Sequence, residues 1–164
     1  MSMVKLTRDQ FIPFLEIGGD LEEPEWARID YSTIFSLNPG TQTETVAYIC
    51  YAADVTEVTG YQPELPQEIA LYEGNDVYDF MFGKFFDLPI GEDAKVPVLI
   101  CFGGEDALAW LIPDATVTLG ELNTVDGKLS FTLNLGGTIT RGTYTITDGV
   151  PEFDDGTSDQ SGDG

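Results

Sequence analysis

The sequence contains no histidine among its 164 residues. Histidine is the commonest acid/base group near neutral pH and the usual zinc ligand. Its absence excludes Ser-His and Cys-His catalytic dyads as well as histidine-based zinc sites. The 29 Asp and Glu residues would place carboxylates side by side by chance, so such pairs are weak evidence of acid/base catalysis. We therefore expect a protein that is not an enzyme and that uses no cofactor and no metal.

Basic residues are also scarce. Seven Lys and Arg residues, scattered from Lys5 to Arg141, stand against 29 acidic residues and leave a formal net charge of −22. Affinity for nucleic acid and for anionic membranes comes largely from clustered Lys and Arg. Specific DNA or RNA binding and membrane attachment are therefore not expected. Solubility alone would also account for such acidity.

Long apolar runs are missing. The longest, VPVLICF and ALAWLIP, are far shorter than a membrane span, and the N-terminal MSMVKLTRDQFIPFLEI lacks the apolar region of a signal peptide. We expect a soluble protein made in the cytoplasm. The two cysteines, Cys50 and Cys101, each lie in an apolar run. Two buried, reduced thiols are the favoured interpretation, and a disulfide remains the alternative.

Motifs for phosphates and calcium are absent as well. No GxGxxG or Walker sequence occurs, and the adjacent Gly136 and Gly137 lie in a strand-rich region where a turn or bulge is expected. The acidic DDGTSDQSGDG lacks the EF-hand spacing, although weak association of divalent ions is conceivable. Trp26 and Trp110 lie in apolar surroundings and are predicted core residues. If both were exposed on one sheet face, a carbohydrate-binding β-sandwich would be the alternative.

What the chain has is enough apolar sequence to fold. Hydrophobic residues make up 42% and aromatic residues 12%. Length and composition predict one domain over residues 1–152. The remaining residues, 153–164, contain almost nothing apolar after Phe153 and are predicted to form a disordered acidic tail.

Periodicity predicts mostly strands. KLSFTLNL alternates strictly, with Leu129, Phe131, Leu133 and Leu135 on one face, and the Thr-rich segments on either side predict an antiparallel meander. FIPFLEI contains Pro13, which lacks a backbone donor, and is predicted to be an edge strand. WARIDYSTIFSLNP predicts one or two short strands that end at the Asn38-Pro39-Gly40 turn.

The stretch from Thr43 to Phe102 is the most unusual part of the sequence. TETVAYICYAA predicts a strand with both faces covered, IALYE a short strand and KVPVLICF another strand. NDVYDFMFGKFFDL predicts a helix that is capped by Asn75 or Asp76 and ends before Pro89. Its aromatic residues extend beyond one stripe, so we expect the sheet on one side and a neighbouring subunit on the other. The fold class is therefore mainly β, an antiparallel sandwich or partial barrel with one flanking helix and a long inter-strand loop.

Three segments together resemble the major tail tube proteins of long-tailed, non-contractile bacteriophages. They are PEWARIDYSTIFSLNPGTQTETVAYI, DVTEVTGYQPELP and EGNDVYDFMFGKFFDLPIGEDAKVPVLICF, in that order. The resemblance implies a virion subunit that forms a ring, hexameric in that family, and stacks into a tube with other tail proteins. DNA would pass through the acidic channel without specific binding. Another tail component, such as a tail completion protein, is the alternative within the same structural class.

The connection from Thr56 to Glu68 contains Pro63 and Pro66 and is longer than most loops between two elements. We predict that it is an arm that reaches a neighbouring subunit. Its candidate subunit-contact residues are Tyr61, Pro63, Leu65, Pro66 and Tyr72. The alternative is a surface loop that packs on its own domain.

Overall fold

The computed structural model describes residues 3, 5–7, 10–18, 22–29, 32 and 36–155. Within these residues the chain is mainly β, with antiparallel strands and one α-helix, which confirms the predicted fold class. The elements are β1 (Ile12–Glu16), β2 (Trp26–Arg28), β3 (Thr41–Val46), β4 (Val55–Tyr61), β5 (Glu64–Ala70), α1 (Asp76–Asp87), β6 (Lys95–Cys101), β7 (Leu108–Asn123), β8 (Lys128–Asn134), β9 (Thr140–Thr147) and β10 (Val150–Asp154).

The main sheet has two branches that meet on the long strand β7. One branch runs in the order β10-β9-β7-β6-β1-β2, and in the other β8 pairs with β7 while β5 pairs with β8. β9 pairs with the start of β7, at Leu108 to Leu111, whereas β8 pairs with its second half, from Thr116 to Asn123. The predicted meander is therefore wrong in its last step, because β9 returns to β7 instead of extending β8.

Strand β8 matches its predicted alternation. Buried and half-buried residues alternate from Lys128 to Asn134, and Leu129, Phe131 and Leu133 face the interior. The turn before it contains Gly127 at φ 70°, a left-handed conformation that favours glycine. The period of two in the sequence thus fixes both the strand and its buried face.

Two apolar clusters form on opposite faces of the main sheet. The main cluster joins both branches to the helix and includes Leu65, Val98 and Met81. The second cluster lies on the other face of β1, β6 and β7 and includes Phe14 and Leu99. Because β1 and β6 have apolar residues on both faces, they are the most deeply buried strands of the fold.

Strand β1 was predicted to lie at an edge because of Pro13, and that prediction is wrong. β1 pairs with β6 on one side and with β2 on the other, and all five of its residues are buried. Pro13 is accommodated because its carbonyl accepts a hydrogen bond from the Ile29 N–H at 3.0 Å. Proline loses only the donor of the strand ladder and keeps this acceptor.

The predicted helix is confirmed with its cap. The Asn75 side chain accepts a hydrogen bond from the Tyr78 N–H at 3.0 Å, and the helix ends at Leu88, which is in the left-handed conformation with φ 52°. Val77 and Met81 are buried in the main cluster. Of the described helices, none is long and apolar enough to cross a membrane.

The remaining predictions concern the two tryptophans and the C-terminal segment. Trp26 and Trp110 are half-buried, and each packs against one of the apolar clusters. Strand β10 extends to Asp154, two residues into the predicted tail of 153–164. Residues 156–164 lie outside the described part of the chain, so the division into a domain and a disordered tail stays a prediction.

Candidate assembly surfaces

The predicted loop from Thr56 to Glu68 is in fact two strands. β4 covers Val55–Tyr61 and β5 covers Glu64–Ala70, with only Gln62 and Pro63 between them. β5 joins the body by pairing with β8, whereas β4 pairs with β3 to form a separate two-stranded sheet. The loop interpretation failed because alternating Thr, Glu and Val residues also suit a strand without an apolar face.

Residues 41–61 form what we call the projecting hairpin. From Thr41 to Thr45 and again from Thr56 to Thr59, every residue is exposed. Successive side chains of a strand point to opposite faces, so both faces of the hairpin contact solvent. The prediction of a strand covered on both faces is therefore wrong. An isolated two-stranded hairpin is only marginally stable in water, so the hydrogen bonds at the base of this one matter for its stability.

Side-chain contacts hold the two hairpin strands in register. The Thr45 and Thr56 hydroxyls lie 3.2 Å apart, and the Tyr48 hydroxyl donates to the Glu57 carboxylate at 3.2 Å. Glu44 lies directly opposite Glu57, and like charges at such positions destabilise a strand pair. No Lys or Arg occurs from residue 41 to residue 61, so every charged side chain of the hairpin is acidic.

The base of the hairpin is anchored to the body by backbone hydrogen bonds. Asn38 and Glu64 exchange N–H···O bonds of 3.0 and 2.8 Å, and the Gln62 N–H reaches the Gly40 carbonyl at 3.1 Å. Gly40 has φ +59°, and a Cβ there would collide with the Gln62 carbonyl oxygen. Only glycine fits at this crossing point, so the direction in which the hairpin leaves the body is well defined.

The end of the hairpin carries exposed apolar side chains. Ile49 is fully exposed, Tyr51 is 60% exposed and Tyr48 is 41% exposed. The two tyrosine rings form an edge-to-face pair with centroids 6.1 Å apart. We call these three residues the tip patch. Cys50 lies among them and is exposed, so the prediction that it is a buried thiol is wrong.

A second exposed apolar surface follows the outer side of α1. Phe82 stacks on Tyr78 with ring centroids 5.8 Å apart, and Phe86, Leu88 and Ile90 are 76%, 68% and 84% exposed. We call Phe82, Phe86, Leu88 and Ile90 the helix patch. Grouped exposed apolar residues are typical of interaction sites, whereas scattered ones are not.

The five predicted contact residues are divided between surface and core. Tyr61 and Tyr72 are 62% and 58% exposed, and Pro66 is half-buried. Pro63 is buried, and Leu65 is fully buried in the main cluster. Leu65 therefore has no surface to offer a neighbour, because the strand that contains it belongs to the body. The contact role of the other residues stays a prediction. Sequence reasoning missed the tip patch, since Tyr48 and Ile49 were read as part of a buried strand.

The thiol of Cys101 is not activated as a nucleophile. Burial raises the pKa of the Cys101 thiol to about 12, so this thiol is protonated at neutral pH and packs as an apolar side chain. The described residues contain no group of three His, Cys, Asp or Glu side chains that could hold a metal ion. The tip patch and the helix patch are grouped exposed apolar side chains, and such groups suit association with other macromolecules.

Comparisons with known proteins establish the fold. No protein-family model and no curated protein sequence matches the chain. A chain in the structure of the sheath/tube terminator of PVC, an extracellular contractile injection system, is similar with a TM-score of 0.53 and 10% identity, over 86% of this chain and 99% of that one. A chain in the tube-terminating cap of the anti-feeding prophage is similar with a TM-score of 0.51 and 14% identity, over 87% and 94%. The fold of this chain is one that occurs in these phage-tail-like assemblies.

Proposed function

We propose that the chain is a structural subunit of a phage tail or phage-like particle, where copies of it assemble into rings that stack into a tube. The observation that carries this proposal is the projecting hairpin, which is anchored at its base by backbone hydrogen bonds, exposed on both faces and apolar at its tip. The fold shared with the two tail-like assemblies supports it, as does the sequence resemblance to tail tube proteins.

In this proposal the hairpin is the predicted arm, moved to residues 41–61. The tip patch docks on an apolar surface of a neighbouring copy, which buries side chains such as Ile49 and Tyr51. The tip patch and the helix patch are different surfaces of one molecule, so a contact between two copies through them would be heterologous. Heterologous contacts generate closed rings or open helical filaments, and both geometries suit a tube.

The place of the subunit within the particle has two candidate answers. The sequence resemblance favours the major tube subunit of a non-contractile phage tail, with hexameric rings. The two structural similarities come from a tube terminator and a tube-terminating cap of contractile systems, which favours a component at the end of a tube. Both belong to the same structural class and are distinguished by whether the purified chain builds long tubes or single rings.

Electron microscopy of the purified protein at high concentration, together with light scattering, tests the proposal. Rings or tubes are the expected result for the wild type, and Ile49→Asp should abolish them by placing a charge in the tip contact. The matched control is Val125→Asp, since Val125 is also almost fully exposed but lies in the β7–β8 turn. The measurement compares the assembled fraction of the three proteins at equal concentration.

One result would contradict the proposal as a whole, and another would contradict only the role of the tip patch. A wild-type chain that stays monomeric over the whole concentration range, also when mixed with preformed tail ends of the same particle, would argue against a tube subunit. Equal assembly of Ile49→Asp and the wild type would exclude the tip patch from the contacts between subunits, although the chain could still be a tube subunit. Far-ultraviolet circular dichroism is the control that checks whether both variants are folded.

The same proposal gives the acidic net charge a function in the passage of DNA. With seven basic residues against 29 acidic ones, a channel built from this chain has few groups that could exchange counterions with DNA phosphates. Duplex DNA would pass without adhering to the wall. Addition of assembled tubes should not change the gel mobility of a short DNA duplex at 50 mM NaCl. At this salt concentration basic proteins bind DNA strongly. A shift that disappears at higher salt would show an electrostatic attraction and would reject this role of the acidity.

A further inference from the structure

Residues 1–8, MSMVKLTR, differ in charge from the rest of the chain. They are the one stretch of eight residues with two basic side chains, Lys5 and Arg8, and no acidic one. The other five basic residues and all 29 acidic residues lie elsewhere in the sequence. The described residues of this stretch are all exposed and belong to no helix or strand; they are Met3, Lys5, Leu6 and Thr7. We call residues 1–8 the basic segment.

The turn that follows the basic segment fixes the point where it leaves the body. The Gln10 N–H donates to the Thr7 carbonyl at 3.0 Å, and the Thr7 N–H donates to the side-chain oxygen of Gln10 at 2.7 Å. Gln10 also packs closely on Gly103, since a Cβ on that glycine would lie 2.7 Å from the Gln10 Cβ. Gly103 follows β6, so the basic segment leaves the body where β6 ends and β7 begins.

The projecting hairpin leaves the body at the opposite end of β6 and β7. At its base the Pro63 carbonyl accepts a hydrogen bond of 2.8 Å from the Leu135 N–H, just beyond the end of β8. There Asn134 of β8 lies opposite Thr116 of β7, which lies opposite Lys95, the first residue of β6. The seven residues of β6 span roughly 20 Å at about 3.3 Å per residue. The basic segment and the hairpin therefore leave opposite ends of the body.

This separation decides which copy the basic segment can reach. Lys5 precedes Gln10 by five residues, so a fully extended chain places it at most roughly 18 Å from Gln10. The base of the hairpin is already farther away than this, and the hairpin projects outward from its base. Lys5 therefore cannot contact the hairpin of its own molecule, whereas a second copy placed end to end brings the two together.

One face of the hairpin combines negative charge with apolar side chains. Glu44 and Glu57 lie directly opposite each other and are both exposed. Val46 and Val55 form the next pair on the same face, because successive residues of a strand point to alternate faces. Both valines are half-buried. We call these four residues the hairpin face. A cation placed over the two carboxylates would offset their mutual repulsion.

The basic segment has complementary side chains at the same spacing. In an extended chain Met3 and Lys5 point to one side and lie roughly 6.6 Å apart, at about 3.3 Å per residue. The carboxylate pair and the valine pair of the hairpin face are also two residues apart. The Lys5 ammonium can then donate to Glu44 and Glu57 while the flexible Met3 side chain packs on the valines.

We propose that the basic segment of one copy docks on the hairpin face of a second copy. This inference rests on the proposed function, because it names a contact that joins copies of the chain within the particle. Since the two surfaces leave opposite ends of the body, the contact joins successive rings of a stack. It also places positive charge between molecules that each have a net charge of −22 and repel one another.

Fluorescence anisotropy tests the contact without requiring tubes. The probe is a labelled peptide of residues 1–8, and it is titrated with the monomeric fraction of the full chain at 50 mM NaCl. The wild-type peptide should bind, and a matched peptide with Lys5→Glu should not. Glu44→Gln in the protein should weaken binding about two- to five-fold, as expected for the loss of one exposed ion pair. Glu105→Gln removes an exposed carboxylate from the β6–β7 turn, far from the hairpin, and should leave binding unchanged.

Exchange of charges tests the same contact during assembly. Lys5→Glu and Glu44→Lys should each lower the assembled fraction seen by electron microscopy, because each places like charges opposite one another. The double variant should assemble better than either single variant, since it restores an attractive pair with the signs exchanged. Arg28→Glu is the matched control, because it changes the net charge as Lys5→Glu does, at an exposed residue of β2, and it should assemble like the wild type.

The outcomes separate this inference from the proposed function. Equal binding of the two peptides, or equal weakening by Glu44→Gln and Glu105→Gln, would overturn the contact, as would a double variant that assembles no better than the single ones. Wild-type tubes together with a peptide that does not bind would overturn the contact and leave the proposed function standing. A wild-type chain that binds the peptide through Glu44 but forms neither rings nor tubes would support the contact and count against the proposed function.

Discussion

Strands β4 and β5 are neighbours in the chain but have opposite relations to solvent. β4 is exposed along almost its entire length, whereas β5 buries every second residue, including Leu65 and Ile69. Only Gln62 and Pro63 separate them. Both strands form antiparallel pairs, so the difference lies in their partners. β8 presents an apolar face to the core, and β3 presents none.

This difference divides the free energy of folding between two regions. The body is stabilised by burial of apolar surface in two clusters. The projecting hairpin has backbone hydrogen bonds and a few side-chain contacts but buries little apolar surface, so it contributes less to the stability of the monomer. A substitution in the body should therefore change the stability of the monomer, and under the proposed function one in the hairpin should change assembly.

The largest expected effect is that of Leu65→Ala, which truncates a fully buried side chain of β5. The lost burial and the cavity left behind should lower the free energy of unfolding of the monomer by about 2 to 5 kcal/mol. Urea denaturation followed by circular dichroism measures this change.

Tyr61→Ala is the matched variant in the projecting hairpin. Tyr61 ends β4 and is 62% exposed, so its truncation should change the unfolding free energy of the monomer by less than about 0.5 kcal/mol. Similar losses of stability in the two variants would show that the hairpin packs on the body, and the division into two regions would then be wrong.

The sequence predicted the body better than the hairpin, for a physical reason. An alternating apolar face, as in Leu129 to Leu135, and a capped helix with Val77 and Met81 are local patterns that report burial directly. Strand β1 is an exception to the rule that proline indicates an edge strand. Pro13 suggested an edge, although the strand has apolar residues on both faces. That second signal, a short continuous apolar run, was the stronger one.

The candidate site could be predicted only in part. The sequence indicated an unusual segment between Thr43 and Phe102, but it could not show where the chain leaves the body. That point depends on long-range contacts, the Asn38–Glu64 backbone bonds and the close approach of Gly40 to Gln62. Trp26 and Phe153, which are far apart in the sequence, line one cleft, and no local sequence pattern predicts such a contact.

The two cysteines give the most local test of the comparison, since Cys50 lies at the hairpin tip and Cys101 in the second cluster. The pKa of Cys101 rises from 9.0 to about 12 on burial, so the folded state holds this proton more tightly than the unfolded state. The stability that this proton contributes is complete below pH 9 and is lost as the pH rises from 9 towards 12, by up to about 1.4 kcal/mol per pH unit.

Urea denaturation from pH 8 to 10.5 under reducing conditions measures this loss. The free energy of unfolding should decline less steeply with pH for Cys101→Ala than for the wild type. Cys50→Ala, which removes the exposed thiol at the hairpin tip, is the control variant. A Cys101→Ala curve as steep as that of the wild type would mean that groups other than this buried thiol set the alkaline limit of the body.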